Sequence, residues 1–595
     1  MKEFTEASVV DPPKEGSLVD HLTDNVEAYP QSIAIQRKTP SGWSAMTFAQ
    51  FHEDVRAVAK GIAAAGVQPG DRIGVMSSTR YEWTLVDYAI WYAGAISVPI
   101  YETSSTEQVE WCLSDSGAVG VFLEGPRHLA VFEEAKDALP NVAHAWVFDS
   151  GAITELKAAG EVVGDDDLDG RRATLSPDSV ATIIYTSGTT GRPKGCVLSH
   201  GNLMFQVDAV VKGMPQVFTA SSSTLLFLPI AHVFGRVIEL GCIRSRVVLG
   251  HTDITNAVSD MGEFHPTFLL AVPRVFEKIY NGARQTARDG GKGAIFERGA
   301  SVAIQYSEAM DKGSPGLPLQ VQHFVFDKLL YSKLRDKMGG EVKYAVSGGA
   351  ALGSRLGHFF RGIGITVLEG YGLTETSAAH TVNRPEKVKI GSVGRPVPGS
   401  SVRIADDGEI LLKGPQVFQG YWNNDQATAE VMEADGWFHS GDIGELDDAG
   451  FLRITGRKKE LIVTAGGKNV APAVLEDRIR SNHLVSQCMV VGDAKPFIAA
   501  LVTIDVDAFP AWKAEKGKPE SATVADLVHD ADLRTEIQSA VDQANKAVSS
   551  AEAIKKFEIL PFDWTEEGGQ LTPSMKLKRN VVMAECGPQV EALYA

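Results

Sequence analysis

Cysteine is scarce in this chain. Five residues in 595 (Cys112, Cys196, Cys242, Cys488 and Cys586) are odd in number and far apart, and no two form a C-x-x-C pair. A disulfide framework and a cysteine-rich zinc site are both excluded. Positive charge is also short, with 57 Lys and Arg against 75 Asp and Glu and a net charge of −18. A general nucleic-acid binder or a polybasic membrane-docking face would need the opposite balance, although a local basic patch can hide inside the total. Long hydrophobic runs are missing too. The longest uncharged stretch, Gly213 to Gly235, is broken by Pro215, Pro229 and His232, so it cannot cross a bilayer as a clean helix. The opening MKEFTEASVVDPPKEG has no apolar segment of the kind a secretion leader needs. A cytosolic protein is expected, with peripheral membrane contact left open. There is no internal repeat, no low-complexity linker and no G-x-S-x-G elbow. The pair His144 and Asp149 is what chance supplies among fourteen histidines.

What is present is an ordinary globular composition, 44 % apolar and 22 % charged. At roughly 100–200 residues per domain, the length predicts three to five structural units. Phe51, Val55, Val58, Ala59, Ile62 and Ala63 recur at helical spacing before Gly66. Short apolar strands follow at Arg72–Met76, 95–100, 119–123, 145–148, 181–185 and 342–347, alternating with helical segments such as 83–93. That alternation predicts an α/β fold with parallel-type sheets covered on both faces. Residues 285–340 read as mostly helical with a break at 313–318. From about residue 400, short strands at 402–404, 408–412 and 451–454 predict a small β-rich subdomain. Past residue 458 a small α+β lobe is expected, with strands near 486–491 and 499–505. The expected domains are therefore 1–457 and a mobile 458–595, joined by a tight hinge.

The segment Tyr185-Thr186-Ser187-Gly188-Thr189-Thr190-Gly191-Arg192-Pro193-Lys194-Gly195 carries the most chemistry. Glycines let backbone amides converge on an anion, hydroxyls add donors and Lys194 adds a point charge, as holding a polyphosphate requires. Lys194 is followed by Gly195 where a Walker loop needs Ser or Thr, so this is a different phosphate loop. The loop resembles the signature of the adenylate-forming (AMP-dependent synthetase/ligase) family: acyl-CoA synthetases, luciferases and peptide-synthetase adenylation domains. Further motifs of that family follow in order: Ser347-Gly348-Gly349-Ala350, Glu369-Gly370-Tyr371-Gly372-Leu373-Thr374-Glu375-Thr376, Trp437–Asp442, Gly456–Leu461, Ala465–Val470 and Thr572-Pro573-Ser574-Met575-Lys576. The resemblance spans residues 20 to 580 and is strongest to long-chain fatty acyl-CoA synthetases.

The resemblance implies a two-step reaction with fatty acid, ATP and CoA as small-molecule substrates. A carboxylate attacks the α-phosphate of ATP to give acyl-adenylate and pyrophosphate, and a thiol then takes the acyl group. It implies ATP contacts from Thr186, Ser187, Gly188, Thr189, Thr190, Gly191, Lys194, Gly349, Ala350, Gly370, Tyr371, Gly372, Thr374, Asp442 and Arg457. Within that set, Tyr371 offers a face to adenine and Asp442 accepts from the ribose hydroxyls. Glu375 is the implied Mg²⁺ ligand, since hard cations take carboxylate oxygens. Lys576 is the implied adenylation lysine, with Met575 standing where the family usually has glycine. Lys459 matches the hinge, Gly466, Gly467 and Lys468 the CoA face, and His232 in Leu228–Phe234 the mouth of the acyl pocket. Each residue also has a structural reading: Asp442 or His232 as a helix cap, Tyr371 as core, Glu375 on a solvated face, the basic run 576–579 as plain surface.

Two other functions remain open on the residues. One is a fatty acyl-AMP ligase loading a carrier protein, which would be expected to carry a hinge-blocking insertion; none is evident. The other is a catalytically silent nucleotide- or lipid-binding regulator, against which every expected catalytic position is occupied. A peptide-synthetase module would be expected to continue into a carrier domain, whereas this chain ends at Ala595.

Overall fold

The apolar spacing of residues 51–63 folds as the helix Phe48–Ala64. Thr47 caps it: its Oγ1 accepts from the Gln50 amide at 3.2 Å, and the Gln50 side chain accepts from the Thr47 amide at 2.9 Å. Two donors that a helix start leaves without partners are thereby satisfied. Phe51, Val55, Val58, Ala59 and Ile62 are completely buried, so local propensity and core formation agree. The computed structural model describes residues 2–186, 192–465, 468–572 and 575–595.

The expected short strands Arg72–Met76, Ile96–Ile100, Ala118–Leu123, His144–Val147 and Val180–Thr186 run parallel in a seven-stranded sheet. Its edge differs from a purely parallel design. Lys194–Ser199 returns antiparallel along Val180–Thr186, bringing Lys194 opposite Thr186, and Gly420–Tyr421 adds beyond it. The phosphate-loop segment thus joins two hairpin strands, and the next helix starts only at His200. A nine-stranded sheet has a parallel centre that includes Thr366–Leu373, Tyr344–Ser347, Phe268–Ala271 and Ser223–Leu226, with antiparallel strands at both ends. Side chains from Val10 to Leu452 form the main core of this lobe.

At the junction of elements, Arg236 of the helix Val233–Ser245 is wholly buried against Asp87 of Tyr81–Tyr92. Its Nε donates to Asp87 Oδ2 at 2.9 Å, and its other nitrogens donate to Thr182 and Ser97 of the seven-stranded sheet at 2.8 and 2.9 Å. Trp83 and Trp91 flank the guanidinium at 5.4 and 5.3 Å from their ring centroids. Buried charge is tolerated here because the donors are partnered.

The β-rich subdomain is an antiparallel five-stranded sheet: Glu3–Thr5, Ser401–Ile404, Glu409–Lys413, Phe438–Leu446 and Leu452–Arg457. The chain start, in which no strand was anticipated, supplies its edge strand. After Leu452 the buried apolar side chains fall into separate cores beginning at Ile462 and Met489. The strands Val485–Val491, Ile498–Ile504 and Ile554–Ile559 form the sheet of this second lobe. Three ion pairs cross between the lobes from the helix Pro273–Asp289: Arg274 to Asp505 at 3.1 Å, Lys278 to Asp507 at 3.7 Å and Arg288 to Glu515 at 3.1 Å. Among the described residues, no helix is long and apolar enough to cross a membrane.

Candidate active site

Parallel strands deliver their side chains and loops to one edge, and ligands bind outside their carboxyl ends. Tyr344–Ser347 runs into Gly348-Gly349-Ala350, and its neighbour Thr366–Leu373 runs into Thr374 and Glu375. Both ends open on a cleft of about 3060 Å³ whose walls come from both lobes. Gly349, at φ +83°, occupies the left-handed region that favours glycine. Gly372 has a different reason: a Cβ there would lie 1.7 Å from the Ala378 carbonyl oxygen. The strand Ala378–Val382 therefore demands this glycine whatever the ligand does.

Tyr371, Asp442 and Arg457 come together although they are distant in sequence. The Tyr371 hydroxyl donates to Asp442 Oδ2 at 2.7 Å, and Arg457 Nε donates to Asp442 Oδ1 at 3.0 Å. Asp442 and Arg457 are directly opposed in register on the strands Phe438–Leu446 and Leu452–Arg457. Asp442 is thus no helix cap; it is a buried carboxylate on a strand, with lone pairs to spare for further donors. Burial and the Asp442 charge hold the Tyr371 phenol far above its usual range, so it stays a neutral donor.

Glu375 is buried, not on a solvated face. Its Oε1 accepts from the Tyr421 hydroxyl at 2.8 Å, and the Tyr421 ring lies 4.9 Å from Lys194 Nζ. Tyr421 was not singled out from sequence; the only signal is the Gly420-Tyr421 strand, which pairs with Cys196 and Val197 of the loop hairpin. Thr186 ends its strand half-buried, with Oγ1 3.5 Å from the Lys194 carbonyl oxygen. Ser187, Gly188, Thr189, Thr190 and Gly191 lie outside the described residues. Glu369 was also passed over. It is buried in the cleft wall and accepts from the Leu352 amide at 3.0 Å, and burial pushes its carboxyl up to about 7.

His232 caps the helix Val233–Ser245, its Nδ1 accepting from the Phe234 amide at 3.1 Å. It also lines the cleft. Burial, followed by the Lys576 charge, pushes its pKa down to about 4, so the imidazole is neutral near pH 7. Because Nδ1 accepts, the proton belongs on Nε2, which is left as a donor. The capping and site readings therefore hold together.

Lys576 stands in the second lobe on a tight turn, its amide donating to Thr572 Oγ1 at 3.0 Å and its carbonyl accepting from the Thr572 amide at 2.8 Å. Met575 before it has φ +61°, a conformation that glycine adopts without strain. Pro573 and Ser574 lie outside the described residues. Lys576 lines the cleft, and desolvation there, then Arg457, lowers its pKa, while Asp442, Glu375 and Glu460 oppose that shift. Gly466 and Gly467 lie outside the described residues. Lys468 is exposed, 3.4 Å from Glu552, and is not brought to the cleft.

The connection between lobes is anchored on either side of one residue. Lys458 Nζ pairs with Asp407 at 2.6 Å and Glu409 at 2.9 Å in the five-stranded sheet. Glu460 meets Arg579 of the second lobe at 3.4 Å. Lys459 between them is exposed.

Residues 22–422 match the model of the AMP-binding enzyme family, and residues 459–595 match that of the AMP-binding enzyme C-terminal domain. The long-chain-fatty-acid–CoA ligase FadD15 of Mycobacterium bovis is 51 % identical over 95 % of both chains. Its namesake in Mycobacterium tuberculosis is 50 % identical over the same shares. Among solved structures, the adenylation domain of a carboxylate reductase from Mycobacterium chelonae superposes with a TM-score of 0.74 at 22 % identity, covering 97 % of this chain and 91 % of that one. An anthranilate CoA ligase with bound anthranoyl-AMP gives 0.71 at 19 %, over 96 % and 98 %. These last two likenesses concern the fold.

Proposed function

The chain belongs to the AMP-binding enzyme family, and from that premise we propose that it is an acid–thiol ligase that activates a long-chain fatty acid. It converts the acid and ATP to acyl-adenylate and pyrophosphate, then transfers the acyl group to CoA with release of AMP. The long-chain assignment follows the relatives that are half identical to this chain across nearly its whole length. The observation that carries the adenylation reading is the convergence on one cleft of Lys576 from the second lobe with Glu375, Asp442 and Arg457 from the first.

In the first step two anions must meet. The Lys576 ammonium placed between the fatty carboxylate and the α-phosphate offsets their repulsion and the charge that builds up on phosphorus, the main task in phosphoryl chemistry. Arg457 and Lys194 add fixed positive charge, Thr374 and Thr186 donate to phosphate oxygens, Asp442 accepts from the ribose hydroxyls and Tyr371 lies against adenine. His232, neutral with a proton on Nε2, donates to the acyl carboxylate at the pocket mouth. Gly349, Ala350, Gly370 and Gly372 give the nucleotide close access to backbone.

A Mg²⁺ ion suits Glu375. The ion keeps several waters and takes one or two carboxylates plus phosphate oxygens, and Glu375 is a single buried carboxylate facing the cleft with one oxygen already oriented by Tyr421. Among the described residues, no group of three or more potential ligands could hold a metal alone, which accords with a site completed by substrate. Bound there, the ion would neutralise phosphate charge.

The second step needs Lys576 to leave. Residues 1–457 act as the adenylating lobe and 458–595 as the mobile one, turning at Lys459. Separate hydrophobic cores and the opposed anchors of Lys458 and Glu460 support that division. Turning brings Gly466, Gly467 and Lys468 toward the acyl-adenylate, where two glycines leave room for a pantetheine arm. A cytosolic location accords with five free, buried cysteines.

The test is a chain-length series from acetate to C24, measuring CoA-dependent AMP release. The expected maximum lies at long chains. A maximum among short acids refutes the substrate class, and acyl-adenylate that persists in the presence of CoA refutes the acceptor.

A further inference from the structure

Glu375 and Lys194 come to the cleft from different sheets. Glu375 lies in the turn Thr374–Thr376 that follows a strand of the nine-stranded sheet, and Lys194 opens the hairpin strand Lys194–Ser199 of the seven-stranded one. One side chain touches both. The Tyr421 hydroxyl donates to Glu375 Oε1 at 2.8 Å, and its ring centroid lies 4.9 Å from Lys194 Nζ. A phenol has one proton to donate, and this one goes to a buried carboxylate. Such a charge-assisted bond is roughly twice as strong as a neutral one. A ring face attracts an ammonium without offering it a counter-charge, so Lys194 keeps its charge for an anionic ligand.

Tyr421 is itself held in place. Its strand pairs antiparallel with Lys194–Ser199, setting Tyr421 opposite Cys196, and the Trp422 amide donates to the Gly195 carbonyl at 2.7 Å. The Tyr421 amide donates to Thr428 Oγ1 at 2.9 Å. Phe418 meets the Tyr421 ring edge-on with centroids 5.0 Å apart, and the Phe418 amide donates to the Glu375 carbonyl at 2.8 Å. Residues 418–422 are thus bonded to the main chain at Glu375 and next to Lys194. Packing alone would be served by phenylalanine. The hydroxyl, bonded to an acid on the cleft wall, adds something that packing does not need.

We propose that Tyr421 is a positioning residue for adenylation: its hydroxyl fixes the Glu375 carboxylate for the divalent cation that accompanies ATP, and its ring seats Lys194 alongside. This rests on the reading of Glu375 as the Mg²⁺ ligand. Mg²⁺ demands near-ideal octahedral geometry, and a carboxylate free to rotate meets that demand only part of the time. Hydrogen bonds from outside the ligand set restrict the rotation, and losing one typically costs about ten- to a hundredfold in metal affinity.

The test uses the full-length protein and measures Mn²⁺ binding by electron paramagnetic resonance with α,β-methylene ATP, an analogue whose α–β bridge cannot be cleaved. The Mg²⁺ dependence of acid-dependent ATP–pyrophosphate exchange is the second readout. Tyr421→Phe, which loses only the hydroxyl, should weaken Mn²⁺ binding about ten- to a hundredfold. It should raise the Mg²⁺ concentration for half-maximal exchange by a similar factor, and saturating Mg²⁺ should restore most of the rate. Tyr421→Leu, which loses the ring as well, should show the same metal defect and a further rate loss of about three- to thirtyfold that added Mg²⁺ does not restore. Circular dichroism checks the fold; if Tyr421→Leu disturbs it, Tyr421→Phe decides. Glu375→Gln separates the two readings. If it weakens Mn²⁺ binding and Tyr421→Phe does not, the positioning role is overturned and the metal reading stands. If neither variant weakens it, the metal reading falls and the positioning role falls with it. A Tyr421→Phe rate loss that saturating Mg²⁺ leaves in place, with Mn²⁺ affinity intact, marks a packing role and also overturns the proposal.

Discussion

Replacing Lys576 by alanine should separate the two half-reactions. The cleft keeps Arg457 and Lys194 in the variant, so the loss is that of one charged donor from a set. Removing one such preorganised donor typically costs about 10²–10³ in rate, roughly 2.7–4 kcal/mol. Desolvation lowers the Lys576 pKa, which marks surroundings where charge acts more strongly than in water. Acid-dependent ATP–pyrophosphate exchange should therefore fall by about that factor. Thioester formation from premade acyl-adenylate and CoA should change little, because Lys576 has no part in it. The pH profile adds a second readout. The ammonium is the working form and its pKa is lowered, so adenylation should decline as pH rises through a value below the ordinary lysine range. Lys576→Arg, which does not titrate there, should remove that limb. Equal losses in both half-reactions, or an alkaline limb unchanged in the arginine variant, would refute the reasoning.

Asp442→Ala removes the acceptor shared by Tyr371 and Arg457, and should raise KM for ATP about tenfold or more while leaving affinity for the acid unchanged, as initial-rate kinetics can show. Arg236→Met strands Asp87 in the core and should cost about 3–5 kcal/mol in urea unfolding; adding Asp87→Leu should recover much of it, and a double variant no better than the single contradicts the pairing. Glu239 is buried near Asp87, and burial followed by that charge pushes its carboxyl up to about 8. A raised folded pKa contributes stability in full below the ordinary carboxylate range and loses it as pH climbs to about 8, so Glu239→Gln should flatten that decline in thermal melts.

Local patterning made the buried elements legible. Arg72–Met76 was bounded to the residue because five apolar-dominated positions sit between a Gly-Asp turn and a polar loop. The site motifs were legible because nucleotide chemistry needs glycines, hydroxyls and single charges at short spacing. What stayed hidden depends on partners remote in the chain. Nothing local to Glu3–Thr5 announces that it pairs with Ser401–Ile404. The hairpin strand Lys194–Ser199 was not anticipated, because its first two residues, Lys194 and Gly195, carry loop chemistry. The solvated-face alternative for Glu375 falls only with Tyr421, which covers it from another sheet edge and is remote in the chain. His232 was weighed as either cap or site, alternatives that its two ring nitrogens allow it to combine.

Tyr371, Asp442 and Arg457 all precede Lys459. If the lobes turn at Lys459 as proposed, the nucleotide's grip belongs to the stationary frame, while Lys576 and the proposed pantetheine face belong to the part that turns. The arrangement is that of a workpiece clamped in a vice while a turret changes tools. Escape of the reactive adenylate is then governed by the clamp and not by how far the turret has travelled. On the proposed mechanism the acid admitted in the first step is the acid delivered in the second, and fidelity between the two rests on three side chains that take no part in the turn.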